Sequence, residues 1–327
     1  MSNVTLKDIA KELDISYATV SFALKDDPRI AVKTRALVRK AAKKHNYIPN
    51  HLAQALQSRK SMMIGCLIAD LTTSYISELL QSIGETASAN NYSILLGLVK
   101  NSAQYVDAQL KTFCEKRVDG IITSWLVPAC RDRLYEINSS GTPVVACSSL
   151  CFEPDIPFAI NDDIEGGKIA VRHLAALGHK KIAYGCLNKK YETVRYDGCC
   201  KAAKEIGVKK PTFFNSEAEL FRLLESKNRP TGIVAFSDYD AIAIKHFLDK
   251  KGLKIPDDIS ILGFDDIWPV SQPEYNFSTI AIRRGEIGRQ AMEMLLDRIN
   301  GRKVENRLIK PELIVRGSTA LFAGGDK

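Results

Sequence analysis

The 327-residue chain predicts two architectures in succession: a small all-α head-piece, then an α/β body of two lobes built on parallel sheets. Three observations carry this. Positive charge is concentrated at the start, where residues 1–60 hold twelve of the 46 Lys and Arg but only five of the 38 Asp and Glu; the rest of the chain carries 34 against 33. The same segment shows helical apolar periodicity throughout, which a solvated basic tail would lack. Beyond it, short apolar runs alternate with amphipathic stretches, the pattern of parallel strands covered by helices.

In the head-piece, Thr5 and Asp8 form a helix start, because the Thr5 hydroxyl can accept a first-turn N–H and Asp8 can answer it. Leu6, Ile9, Ala10 and Leu13 then make one apolar stripe. Ser16 caps a second helix in which Val20, Ala23 and Leu24 face inward, while Tyr17, Ala18, Ser21 and Phe22 face outward. Thr34, Leu37, Val38, Ala41 and Ala42 predict a third helix, preceded by Ala31 where a capping side chain is usual. Two short helices joined by a tight turn within a local basic cluster read as a DNA-binding module, since such a cluster is the electrostatic footprint of phosphate binding.

In the body, the apolar runs are Ile64 to Ala69, Ser93 to Leu98, Gly120 to Thr123, Val144 to Cys147, Ile182 to Gly185, Gly232 to Phe236 and Ile259 to Gly263. Helical stretches fall between them at Ile76 to Ala89, Glu165 to Leu177, Tyr196 to Ile206, Ala241 to Lys251 and Glu286 to Ile299. This many strands predicts two lobes. In open parallel sheets ligands bind beyond the carboxyl ends of the strands, and the residues just past four of the runs are Asp70, Trp125, Asp238 and Asp265. Carboxylates accept from adjacent hydroxyls and an aromatic face covers the apolar side of a sugar, so these residues suit a polyhydroxylated ligand. Asp70 and Asp238 could instead cap the helices that follow, and Trp125 and Trp268 could be packing residues.

The composition excludes several classes. No apolar run reaches membrane-spanning length and no signal-peptide pattern opens the chain, so a cytoplasmic protein with no membrane partner is expected. Cys66, Cys147 and Cys186 lie in apolar runs and read as small buried hydrophobes, while adjacent Cys199 and Cys200 fall mid-helix where a bridge would be strained. No Cys or His spacing forms a metal framework, no glycine loop fits a phosphate cofactor, and no nucleophile–base pattern marks an enzyme. Gly166-Gly167 sits inside a helical pattern and lacks phosphate-loop spacing.

Several strings carry a family resemblance. Val4-Thr5-Leu6-Lys7-Asp8-Ile9-Ala10, Ser16-Tyr17-Ala18-Thr19-Val20-Ser21, Thr34-Arg35 and Asn46-Tyr47-Ile48-Pro49-Asn50 resemble the head-piece of the lactose-repressor/galactose-repressor (LacI/GalR) family of bacterial transcription regulators. The likeness continues in order through Gly178-His179-Lys180-Lys181-Ile182-Ala183, Ile255-Pro256-Asp257-Asp258-Ile259-Ser260, Gly263-Phe264-Asp265-Asp266, Ser278-Thr279-Ile280 and Arg316-Gly317-Ser318-Thr319.

The resemblance implies a helix-turn-helix DNA-binding domain over residues 1–48, a hinge helix or linker over 49–61, and an effector domain similar to periplasmic sugar-binding proteins. Its first lobe would take 62–160 with 281–305, and its second 161–280 with 306–327. It implies a cytoplasmic homodimer that binds double-stranded operator DNA, acting as a repressor under control of a small effector such as a sugar; a nucleobase effector is the alternative. No heptad-patterned tetramerisation helix follows Arg316-Gly317-Ser318-Thr319, so a dimer is expected.

Thr5, Ser16, Tyr17, Ala18, Thr19, Ser21 and Phe22 form the implied DNA-binding set, with Tyr17, Ala18, Ser21 and Phe22 toward base edges and Thr19 on phosphate. Relatives usually have Arg where this chain has Phe22, so an operator with T·A there, packed by Phe22 on the thymine methyl, is expected. Asn50, Ala53 and Leu56 would form the hinge, Asn50 as cap and Leu56 as a minor-groove wedge. Asp70, Asp162, Arg195 and Asp265 match positions that contact effector in the family, and Asp163 stands where relatives often have Asn. A solute receptor for transport is the competing class, against which the basic head-piece argues.

Overall fold

The computed structural model describes residues 4–45, 47, 60–68, 71, 74–99, 102–124, 128–147, 156–187 and 194–322. The chain divides into two compact units, Met1–Ser61 and Met62–Lys327.

In the first unit, α1 (Leu6–Leu13), α2 (Tyr17–Leu24) and α3 (Val32–Lys44) enclose one small core of Ile9, Ala10, Val20, Ala23, Val38, Ala41 and Ala42. Thr5 opens α1 with the expected capping box: its backbone N–H donates to Asp8 Oδ2 at 2.8 Å, and its hydroxyl accepts from the Asp8 N–H. Ser16 caps α2 by accepting from the Thr19 N–H at 3.0 Å. Ala31 leaves α3 without a side-chain cap. Leu37 departs from its expected place in the core and is 49% exposed. It lies about a quarter turn from the centre of the Thr34–Val38–Ala41 stripe, at 100° per residue, and two eight-residue partner helices cannot cover so wide a face.

The second unit begins with β1 (Met63–Ile68), α4 (Ser74–Ala89), β2 (Ser93–Leu98), α5 (Ala103–Glu115), β3 (Gly120–Thr123), α6 (Pro128–Ser139), β4 (Val144–Cys147) and β5 (Phe158–Asn161). It continues with α7 (Asp163–Ala176), β6 (Ile182–Gly185), α8 (Val194–Ile206), β7 (Thr212–Phe214), α9 (Glu217–Leu224), β8 (Gly232–Ala235), α10 (Asp238–Lys250) and β9 (Ser260–Asp265). A 3-10 turn, Trp268–Ser271, leads to β10 (Ser278–Ala281), α11 (Arg284–Ile299), β11 (Arg307–Ile309) and β12 (Glu312–Ile314).

These strands form two six-stranded sheets, in the orders β11-β5-β4-β3-β1-β2 and β12-β10-β9-β8-β6-β7. The first is parallel throughout. In the second, β12 joins β10 antiparallel, so the expectation of parallel sheets needs that one edge corrected. The boundary at residue 306 also shifts. β11 pairs with β5 in the first lobe, Leu308 opposite Ile160, so the chain changes lobe between Ile309 and Glu312.

Each lobe hides its central strands under helices. β1, β3 and β4 are almost wholly buried, and α11 packs on α4 and on the first sheet, closing it from the far end of the sequence. Cys66, Cys147, Cys186 and Cys199 are buried free thiols, and burial pushes the Cys66 thiol up to about 12. No described helix is long and apolar enough to cross a membrane.

The chain passes between lobes three times, each over one or two residues: after β5, after β10 and after β11. Glycine makes the first passage compact. A Cβ on Gly167 of α7 would run into the Arg195 carbonyl oxygen, and one on Gly198 of α8 into that of Ile164. The two helices therefore meet backbone to backbone, which fixes the start of α8 beside the start of α7. A Cβ on Gly166, beside Gly167, would run into the Phe264 ring of β9.

Candidate functional site

The head-piece and the body each offer a candidate surface. On the head-piece, the outer face of α2 presents Tyr17 at 43% and Phe22 at 39% exposure, with Ala18 exposed and Ser21 and Thr19 half-buried. Large aromatics are left open here while Val20 and Ala23 on the opposite face are buried. The Arg29 guanidinium stands over the Phe22 ring, 4.9 Å from its centroid. Asp27 fixes it there by accepting from Nε at 3.0 Å and Nη2 at 2.7 Å, and this fork holds the Asp27 carboxyl at about 2. Sequence reasoning took Phe22 as a lone apolar reader and missed Arg29. The Asp27-Pro28-Arg29 string, which turns the chain back onto α2, was the available signal.

In the body, the second lobe's strands end near the first interlobe passage. Arg195, in the first turn of α8, is 11% exposed and lies between two carboxylates. Its Nε is 3.3 Å from Asp163 Oδ1 and its Nη2 is 3.2 Å from Asp265 Oδ1. Its Nη1 donates to the Phe236 carbonyl at 2.6 Å, while the Phe264 and Phe236 rings stand 3.8 and 4.9 Å from the guanidinium carbon. Buried Asn161, the last residue of β5, donates Nδ2 to Asp163 Oδ1 at 2.6 Å. Burial pushes the Asp265 carboxyl above the usual carboxylate range, against the opposite pull of Arg195 and Arg284.

The turn after β9 is held from several sides. Asp265 and Asp266 both have positive φ, 109° and 55°, a backbone region costly for residues with a Cβ. Arg284, at the start of α11, donates to the Asp265 carbonyl and reaches Glu78 of α4 at 3.3 Å. Arg316 pairs with Asp266 at 2.8 Å. Asp238 accepts from the Ile267 N–H at 2.9 Å and the Thr279 hydroxyl at 2.7 Å.

The residues expected from sequence separate accordingly. Arg195 and Asp265 come together, with Asp162 one residue from Asp163. Asp162 is committed to helix capping, accepting from the Glu165 N–H at 2.9 Å. Asp238 does not reach the cleft: it has no solvent exposure and both oxygens are engaged in supporting the turn. Ser237 takes the cap of α10, so Asp238 points inward from the first turn. Trp268 is 72% exposed on its 3-10 turn. Asp70, Trp125, Asn50, Ala53 and Leu56 lie outside the described residues. Asn161, Asp163, Phe236, Phe264 and Arg284 were absent from the expected set. Arg284 was findable, since a cation at a helix N-terminus opposes the helix dipole and signals an acidic partner.

Comparison with known proteins gives a consistent assignment. The profile for bacterial regulatory proteins, lacI family, matches residues 5–50, and that for a periplasmic binding protein-like domain matches residues 171–319. The chain is 32% identical over 333 residues to the transcriptional repressor PurR of Haemophilus influenzae (strain PittEE), spanning 96% of this chain and 98% of the relative. It is 30% identical over 331 residues to the repressor CytR of Escherichia coli (strain K12), spanning 96% of both. The solved structure of the Lac repressor bound to ONPG in the repressed state aligns with TM-score 0.81 at 25% identity, over 97% of this chain and 100% of that one. A regulator from Enterococcus faecium with bound ribose aligns with TM-score 0.67 at 25% identity, over 80% and 99%. With whole-length relatives of that family, and a separate profile match in each part of the chain, the protein belongs to the lacI family of bacterial regulatory proteins.

Proposed function

We propose that the protein binds a pseudo-palindromic operator as a homodimer and changes its hold on DNA when a small polyhydroxylated molecule, such as a sugar, enters the cleft between the lobes. The outward face of α2 supports the DNA reading: Tyr17, Ala18, Ser21 and Phe22 would meet base edges, while Thr5, Ser16 and Thr19 lie where helix starts offer N–H groups to phosphate. Asn50, Ala53 and Leu56 would complete the contact as a short helix that orders beside its twin, Leu56 entering the minor groove.

The observation that carries the effector reading is the Asp163–Arg195–Asp265 cluster of the second lobe, which Asn161 of the first lobe joins through Asp163, because a group bound there can favour one arrangement of the lobes. Carboxylates that accept from paired hydroxyls suit a sugar, as does the ribose carried by the Enterococcus faecium relative. A nucleobase is the second reading, favoured by the two phenylalanine rings around Arg195.

The test is binding of the full-length protein to its own promoter region, titrated with salt and then with sugars and nucleobases. Steep salt dependence with a compound-specific shift in affinity is the expected result. Binding insensitive to every compound would remove effector control, and absence of binding would remove the DNA reading.

A further inference from the structure

The turn that joins α2 to α3 is fixed from both sides. The N–H groups of Lys25 and Asp27 donate back to the Phe22 carbonyl at 3.2 and 3.1 Å, and Asp26 takes a positive φ of 58°. From α3, Arg35 donates to the Asp26 carbonyl at 3.2 Å and Arg39 pairs with the Asp26 carboxylate. Asp27 then turns the chain again by accepting from the Arg29 N–H at 2.9 Å, which returns Arg29 to the Phe22 ring.

Of the three arginines described in the head-piece, Arg35 and Arg39 reach from α3 to Asp26, while Arg29 lies over the outer face of α2 with its side chain 73% exposed. The two edges of its guanidinium differ. Asp27 fills the edge formed by Nε and Nη2. Nη1 and the second N–H of Nη2 form the other edge, a pair of parallel donors that no described residue takes up, and such a pair matches the O6 and N7 acceptors of guanine in the major groove.

The carboxylate decides between phosphate and base. Phosphate binding draws on net positive charge, and Asp27, at 2.7 Å, offsets that of Arg29; what survives the pairing is direction, the property that base reading needs. A guanidinium already fixed in the free protein also loses less rotamer freedom on binding. The stack supplies register. The guanidinium carbon stands 4.9 Å from the Phe22 centroid, a separation comparable with the rise of about 3.4 Å between successive base pairs, so ring and guanidinium can address neighbouring pairs.

We propose that Arg29 is the specificity-determining residue for a guanine that neighbours the thymine under Phe22, with Asp27 as its positioning residue. The inference rests on the reading of α2 as the DNA-facing helix and adds a base contact from outside that helix.

Site selection by the full-length protein from a randomised duplex, followed by competition titrations of single-base variants at fixed salt, tests it. The wild type is expected to select a thymine with a guanine on one fixed side of it in each half-site. Arg29→Ala should abolish the guanine preference, a loss on the order of 10- to 100-fold over the other bases, and leave the thymine selected. Asp27→Asn keeps an acceptor for the Arg29 N–H, so the turn survives. It should weaken the guanine preference while tightening binding to random-sequence duplex, because an acid facing the phosphates has gone. A fall in affinity that Arg29→Ala spreads equally over selected and random duplexes, with a salt slope lower by about one, would mean that Arg29 holds a phosphate, and overturns the inference. A guanine preference that survives in both variants, or no guanine beside the thymine, overturns it too. Operator binding stands in each of those cases, whereas a wild type that selects no sequence overturns the DNA reading and this inference together.

Discussion

Asp238 shows what one buried carboxylate does to a fold. Burial, with Asp265 and Asp266 nearby, pushes its carboxyl up to about 7, although Ile267 and Thr279 donate to it. The folded body therefore holds a proton that the unfolded chain releases at lower pH, so this group's stabilisation is complete below the ordinary carboxylate range and is lost as pH rises toward 7. Denaturant melts from pH 4.5 to 7.5 should show a decline that Asp238→Asn flattens, a difference on the order of 3 kcal/mol across the window. Identical slopes in both proteins would refute it. The strand-end rule had placed Asp238 in the cleft. That rule finds the right turn but not the direction of a side chain, which here is set by Ser237 taking the cap. At the other surface, operator selection should return T·A opposite Phe22. Arg29→Ala should weaken binding by about 1–3 kcal/mol if the guanidinium stacked on Phe22 reaches DNA, and a return of guanine opposite Phe22 would exclude the apolar contact.

Element by element, legibility followed apolar content. β1, β3, β4 and β8 are buried nearly throughout and appear as apolar runs, within a residue or two of their observed ends. β10 did not, because its Ser278 and Thr279 are buried polar residues bonded to Thr319 and Asp238, so a core strand reads as a loop. β7, β11 and β12 span three residues each, too few for periodicity to register. Caps were legible from single residues, as at Thr5 and Ser16, and so was the missing one at Ala31. Ala31→Asp should slow amide hydrogen exchange along α3 by an amount equivalent to about 1 kcal/mol, while exchange unchanged from wild type would mean the cap position is already satisfied. Gly167→Ala should destabilise the body by about 1–3 kcal/mol or more, read as a lowered denaturation midpoint, because neither α7 nor α8 can retreat without losing its sheet.

For the whole molecule, the proposed operator-binding homodimer should sediment as twice the mass of one chain and lose operator affinity by about 10³–10⁵ between about 50 and 200 mM salt if six to ten phosphates are contacted. A flat salt response would contradict the charge concentrated in residues 1–60. The division into head-piece and two lobes was legible because charge and periodicity change abruptly along the chain. The candidate cluster was only half legible, since Asn161 and Asp163 are neighbours in the chain but Arg195 and Asp265 lie far along it and join them only in the folded body. The three passages between lobes span one or two residues each, and Asp163 and Arg284 stand beside two of them. Such short tethers let the lobes turn against each other but not part, as the leaves of a hinge do on a pin. A molecule seated beside the pin works a short lever arm, so a sub-ångström adjustment there is geared up into a far larger sweep at the rim of each lobe.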